Sequence, residues 1–158
     1  MKYIRFTGVL CATSFALLLA TTATAAWFSR SQSQTLSEMK FVEFPTVLPP
    51  GPKVALVRGS YTEGQWMSMV KVPAGFVMPP HSHPDERTII VVSGVLYQGE
   101  GEKVDEKALK AFPAGSVIID PPKEPHYHLY KEDTVFIEMG SSPTAVNYVN
   151  PSDAPARR

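Results

Sequence analysis

From Gln65 to Val72 the side chains alternate. Trp66, Ser68, Val70 and Val72 share one face, and Met67, Met69 and Lys71 share the other. A period of two marks a strand with one buried face. Thr88-Ile89-Ile90-Val91-Val92 is a β-branched run suited to a pleated backbone, closed by Ser93-Gly94. Residues 54–57, 95–97, 116–119, 134–139 and 144–149 read as further strands, and residues 41–44 as a short one. Turn signals stand between them, at Pro73-Ala74-Gly75, Pro113-Ala114-Gly115 and Pro121-Pro122-Lys123-Glu124-Pro125. Residues 105–111 alone suggest a helical turn, capped by Asp105, anchored by Leu109 and stopped by Pro113. Many short strands with tight turns predict an all-β fold, an antiparallel sandwich or barrel with at most one short helix. The 15 prolines and 10 glycines point the same way.

The N-terminus carries a different pattern. Residues 7–20 are an apolar run, preceded by Lys2 and Arg5 and followed by the small residues Ala23-Thr24-Ala25. This is the layout of an export signal over residues 1–25, and the run is short for a membrane span of about 20 apolar residues. An uncleaved anchor is the alternative. Export implies the periplasm in a bacterium and secretion elsewhere. Residues 26–52 follow as a flexible lead-in, Ser/Gln-rich and then proline-rich. Residues 53–149 remain for one barrel, and 150–158 for a disordered tail.

Composition narrows the chemistry. Lysine plus arginine and aspartate plus glutamate each number 15, and loss of Lys2 and Arg5 leaves the mature chain slightly acidic. No nucleic-acid footprint is visible, and no membrane partner is expected once the signal is removed. The single cysteine, Cys11, lies inside the signal. Any metal would therefore be held by nitrogen and oxygen.

All four histidines fall into two His-x-His pairs, His81/His83 and His126/His128. In a strand, alternate residues share a face, so each pair aims two imidazoles the same way; a helix would splay them. Imidazole suits Zn, Cu, Fe and Ni, so the first reading is a divalent metal site inside a β structure, with Fe, Mn, Zn, Ni and Cu as the candidate ions. Four purely structural histidines are the alternative.

Two phrases extend the pattern. In the first, Gly75 is followed after five residues by His81-Ser82-His83 and later by Gly94. In the second, Gly115 is followed after five residues by Pro121 and then by His126. This resembles the two-part signature of the cupin superfamily, and over residues 53–149 the chain is similar to small exported single-domain cupins (cupin-2-like). The resemblance implies a double-stranded β-helix, a jelly-roll barrel, with His81, His83 and His126 as metal ligands. It also implies open coordination positions for a small organic ligand or substrate. The superfamily contains dioxygenases, isomerases, decarboxylases and oxidases, as well as members that bind ligands without chemistry.

The chain departs from the signature in three places. The glutamate-ligand position, counted from Gly94, falls on Arg87; Glu86 is its neighbour, and a one-residue slip turns a side chain to the opposite face. Glu86 would reach a metal only through a bulge after His83. Arg87 would either clamp an anion in the pocket or pair with Glu86 or Asp85 at the barrel mouth. Lys123 stands where glycine is common, and Tyr130 where asparagine is common. His128 shares a face with His126 and reads as an outer base, a fourth ligand or a rim histidine. Glu138 is either a pocket acid or an edge charge. Arg87, Tyr130, His128 and Tyr97 are thus the residues that would address a substrate. A homodimer is a candidate assembly, with residues 41–44 as an exchanged strand.

Overall fold

The computed structural model describes residues 33–44 and 47–155, so the expected export signal lies outside the described residues. Among the described residues no helix is long and apolar enough to cross a membrane. The unit of residues 34–158 carries the strands. In chain order these are β1 (Val42–Glu43), β2 (Lys53–Gly59), β3 (Gln65–Val72), β4 (Val77–Ser82), β5 (Arg87–Ser93) and β6 (Val95–Glu100). They continue as β7 (Lys110–Pro113), β8 (Val117–Asp120), β9 (His126–Leu129), β10 (Thr134–Ser141) and β11 (Asn147–Tyr148). Two antiparallel sheets result, ordered β1-β2-β3-β10-β5-β8 and β11-β4-β9-β6-β7.

The alternation in β3 is realised as read: Trp66, Ser68, Val70 and Val72 are buried. In β5 the inward set is Arg87, Ile89 and Val91, with Thr88 and Ile90 on the other face. Val70, Ile89, Val91 and Phe136 of the six-stranded sheet pack against Leu96 of the five-stranded one and Tyr130 just past the end of β9. Each large apolar side chain buried there contributes about 1.5–3 kcal/mol. The outer face is apolar too. Across the β5–β8 register, Ile90 neighbours Val117 and Thr88 neighbours Ile119, and Val117 and Ile119 stand 58% and 62% exposed.

Three local expectations change. The turn at residues 105–111 shrinks to a 3₁₀ turn at Glu106–Ala108, with the Asp105 carboxylate accepting from Lys107 N–H at 2.9 Å. Residues from Lys110 onward are taken by pairing with β6, since one apolar anchor cannot hold a helix against a strand ladder. The strand expected over residues 144–149 is only Asn147–Tyr148. The tail is ordered at Pro151–Asp153, where Asn150 caps Ser152 N–H. Residues 41–44, offered for exchange between copies, pair with β2 of their own chain, Val42 opposite Val54.

Both Pro-Ala-Gly turns end in the left-handed region, with φ of 83° at Gly75 and 90° at Gly115, which glycine adopts without strain. Lys123, at the position where the cupin signature favours glycine, also has positive φ, 69°. Its N–H donates to the carbonyl of His83 at 2.8 Å, tying the turn before β9 to the first histidine pair. Left-handed backbone costs a non-glycine residue about 1–2 kcal/mol, less what glycine's added freedom in the unfolded chain takes back. Lys123→Gly is expected to stabilise the protein by about 0.5–1 kcal/mol in urea unfolding. A neutral or destabilising result would mean that the lysine side chain compensates the strain.

Candidate metal centre

β4 and β9 are hydrogen-bonded neighbours, and their register sets His81 opposite His126. Two prolines, Pro79 and Pro80, sit inside β4, and the ladder shifts register between Met78 and His81. A strand without those two N–H donors tolerates such an irregularity. His83 lies one residue past the end of β4, and His128 lies on the same face of β9 as His126. All four imidazoles are at most 6% exposed. Ring centroids lie 4.9 Å apart for His81 and His83, 4.5 Å for His81 and His126, 5.4 Å for His83 and His126, and 5.2 Å for His126 and His128. One nitrogen from each of His81, His83 and His126 can be chosen so that all lie within 4.8 Å of one another.

Backbone carbonyls fix which nitrogen that is. His81 Nδ1–H donates to Pro79 O at 2.8 Å, His83 Nδ1–H to Ala145 O at 2.8 Å, and His126 Nδ1–H to Glu124 O at 3.1 Å. A carbonyl only accepts, so each Nδ1 carries the proton and each Nε2 keeps its lone pair. This is the tautomer and the carbonyl support that metal-bound histidines use. Burial, reinforced by His126, holds the His81 pKa down at about 3. Burial, reinforced by the nearby Arg87 guanidinium and by His81, holds His83 at about 2. Both rings are therefore neutral at neutral pH.

His128 is placed differently from the three. Its Nε2 meets Gln98 Oε1 at 3.2 Å, and its Nδ1 lies 3.4 Å from the Tyr130 hydroxyl. Gln98 Nε2 donates onward to Asp120 Oδ1 at 2.6 Å and to Glu100 Oε1 at 3.1 Å. With the Gln98 amide oriented this way, His128 Nε2 donates and His128 Nδ1 accepts from Tyr130. The reading of His128 as a rim histidine is corrected: it is buried in a polar chain running Tyr130–His128–Gln98–Asp120. Burial pushes its pKa well below the ordinary value and lifts that of Tyr130 well above it. A second grouping of possible ligand atoms joins Asp120, His126 and His128.

One other expectation is corrected. Glu86 is exposed and lines a surface hollow with Met67, Thr88 and Met139. Strand parity explains this, because residues 86 and 88 face away from the side that carries Arg87 and Ile89. Glu86 is therefore not beside the histidines. Arg87 is inside and paired with Asp85, one of its two expected readings, and it also lines a cavity. Its Nε lies 3.1 Å from Asp85 Oδ2, and its Nη1 donates to Glu138 Oε1 at 2.9 Å. Its Nη2 donates to Thr144 Oγ1, and the guanidinium lies 4.5 Å from the Trp66 ring centroid. Asp85 is itself held by Ser141 N–H at 2.9 Å and the Thr144 hydroxyl at 3.0 Å. The backbone passes so near that a Cβ at Gly140 would stand 2.3 Å from Asp85 Oδ2. Glu138 is thus a partner of Arg87; burial raises its pKa against the pull of that guanidinium. Tyr97 is half-buried on the face opposite Leu96 and Gln98, with Lys131 over its ring.

Sequence reading missed Gln98 and Asp120. A glutamine and an aspartate carry no spacing signal, and only the β6–β9 and β5–β8 registers reveal their neighbours, His128 and Arg87. A cavity of about 410 Å³ opens beside the arginine network, bordered by Phe44, Leu48, Trp66, Glu138, Ala145 and Tyr148. Ala145 and Tyr148 also touch the histidines: the first through the His83 bond, the second with its ring 6.3 Å from that of His81.

The buried neutral rings set a pH dependence. In the unfolded chain an imidazole protonates near pH 6.5, whereas in the fold His81 and His83 wait until about 3 and 2. Below about pH 6.5 the unfolded state binds more protons, so stability falls with pH. Urea midpoints of the metal-free protein are expected to drop steadily from pH 7 to pH 4. A flat profile over that range would contradict neutral burial.

Comparison with known proteins agrees with this architecture. The polyketide cyclase RemF from Streptomyces resistomycificus superposes with a TM-score of 0.67 at 17% identity, over 80% of this chain and 90% of that one. An RmlC-like cupin from Ralstonia eutropha gives 0.58 at 18% identity, over 81% and 78%. Salicylate 1,2-dioxygenase from Pseudoaminobacter salicylatoxidans gives 0.53 at 11% identity, over 65% and 31%. At such identities the likeness establishes the fold. No curated protein matches the sequence significantly. The model of the ChrR cupin-like domain matches residues 29–145, and the chain accordingly belongs to that family within the cupin superfamily.

Proposed function

We propose that this protein is an exported cupin that binds one divalent metal through His81, His83 and His126 and presents it to a small organic molecule. The observation that carries the reading is the set of three Nδ1–carbonyl bonds, which directs the Nε2 atoms of three closely grouped rings to a ligand. A further sign is His126 Nε2, a buried nitrogen with no hydrogen-bond partner. Such a donor set suits Fe, Mn, Zn, Ni or Cu. When bound, the metal would act as a Lewis acid or, if redox-active, as a site for oxygen chemistry of the dioxygenase or isomerase kind. The residues around it hold the rings, exclude water and border the cavity.

A second reading, a binding or sensing module without catalysis, draws on Arg87. Its contacts go to Asp85, Glu138 and Thr144, which favours a role in holding the fold over one in fixing an anionic substrate. Metal loading separates the two readings: a catalytic centre turns over an organic substrate, or consumes O₂ in its presence, whereas a structural one only raises the melting temperature.

Elemental analysis of protein isolated from its native compartment is the direct test. One Fe, Mn, Zn, Ni or Cu per chain is expected, with little or none in His81→Ala or His126→Ala. Stoichiometric protein that holds no metal, and takes up none on titration, would overturn the reading. Export rests on the layout of residues 1–25. N-terminal sequencing of the exported protein should begin after Ala25, and a start at Met1 would refute removal of the signal.

A further inference from the structure

The cavity of about 410 Å³ beside the arginine network is bordered by four aromatic side chains and, among the described residues, by no histidine. Three of the rings form a run. Phe44 meets Tyr61 edge-on with centroids 5.6 Å apart, and Tyr61 meets Trp66 at 5.2 Å. Tyr148 is the fourth. Both tyrosine hydroxyls are committed elsewhere, that of Tyr61 to the Ser68 hydroxyl and that of Tyr148 to Val47 O at 2.8 Å. These residues therefore offer the cavity ring carbons, not free hydroxyls. Two charged side chains border the same space, Arg87 and Glu138, and they do not cancel. Arg87 answers two acids, Asp85 at 3.1 Å and Glu138 at 2.9 Å, so the group carries one excess negative charge when both acids are ionised. Asp85 is used up by Arg87, Ser141 N–H and the Thr144 hydroxyl. Glu138 gives only Oε1 to Arg87; among the described residues its Oε2 has no hydrogen-bond partner, and its side chain stays 21% exposed.

We propose that this cavity binds a small organic cation of the quaternary ammonium type. The face of an aromatic ring is electron-rich and attracts a cation within about 6 Å of its centroid. The Arg87 guanidinium already uses Trp66 in this way, which leaves Phe44, Tyr61 and Tyr148 for a ligand. A quaternary ammonium has no N–H to satisfy, so it suits a lining with a single uncommitted carboxylate oxygen. Its methyl groups bury against apolar neighbours such as Leu48 and Val146. The excess negative charge opposes an anion and favours a cation. Burial raises the Glu138 pKa against the pull of Arg87, and a cation beside it would favour the ionised form. The site is separate from the metal reading. It approaches the histidines through Ala145, whose carbonyl holds His83, and through Tyr148, whose ring lies 6.3 Å from that of His81. It exists whether or not those rings take up a metal.

Calorimetric titration of metal-free wild type with choline tests this, run beside the uncharged isostere in which carbon replaces the quaternary nitrogen. Choline is expected to bind at one site and at least about fivefold more tightly than the isostere, the size of one desolvated cation–π contact. Phe44→Leu keeps apolar bulk but removes a ring; it should weaken choline about fivefold and change the isostere by less than about twofold. Glu138→Gln removes the excess charge while Arg87 keeps Asp85, and should cost choline, not the isostere, a further loss of about the same size. The comparison of the two ligands on wild type needs no variant, so a variant that fails to fold leaves the test standing. An isostere that binds as tightly as choline would overturn the preference for a cation. Wild type that binds no choline, with or without metal, would overturn the site while leaving the three-histidine centre untouched.

Discussion

The pairing of β4 with β9 that sets His81 against His126 is the constraint on which the site depends. A shift of one residue would turn an entire His-x-His pair to the outside. The register is held from both ends. Met78 is buried opposite His128 at the apolar end, and Lys123 N–H grips His83 O at the polar end. Tyr127, between the two histidines of β9, is buried on the opposite face; its hydroxyl accepts from Asp105 N–H and donates to Asp105 O. A Cβ on Gly99 would stand 2.2 Å from that ring, so a neighbour without a side chain is required for β9 to sit flat on β6.

Gathering four imidazoles into a dry interior is unfavourable unless they stay neutral and hydrogen-bonded. The chain meets that condition by two routes. Three rings hand their Nδ1 protons to carbonyls, and the fourth is absorbed into a side-chain network with Gln98 and Tyr130. What is left uncompensated is local: Asp120 Oδ2 and His126 Nε2. A stability argument alone would have removed that pair. Its persistence at the meeting point of two sheets is the kind of local conflict that folds retain where function needs it.

Much of this was legible in sequence, for physical reasons that differ by residue. Strand parity made the facing of His81/His83 and His126/His128 readable from spacing alone, and the same rule argued against Glu86 as a ligand. The alternation in β3 separated its two faces correctly without saying which of them is buried. The partner of Arg87 was readable only in outline. Asp85 was one of the choices, but Glu138 is 51 residues away and became a partner through the β10–β5 register, which no local pattern encodes. Gln98 and Asp120 were invisible for the same reason. The expected helical turn failed because residues 110–113 had an unfilled ladder beside them in β6.

The substitution at position 87 is best understood as one part of a larger charge arrangement. Replacing a buried acid by arginine inverts the local field, and a lone buried guanidinium would be untenable. Here it is balanced by Asp85 two residues before it and Glu138 on β10, with Thr144 bridging from the segment that also holds His83 through Ala145. A glutamate restored at 87 would therefore not restore the superfamily's usual site. It would stand among Asp85, Glu138 and Asp120 without the guanidinium that now pairs with the first two. The arginine, its two acids and the close-packed Gly140 form one buried unit, separate from the histidines of β4 and β9.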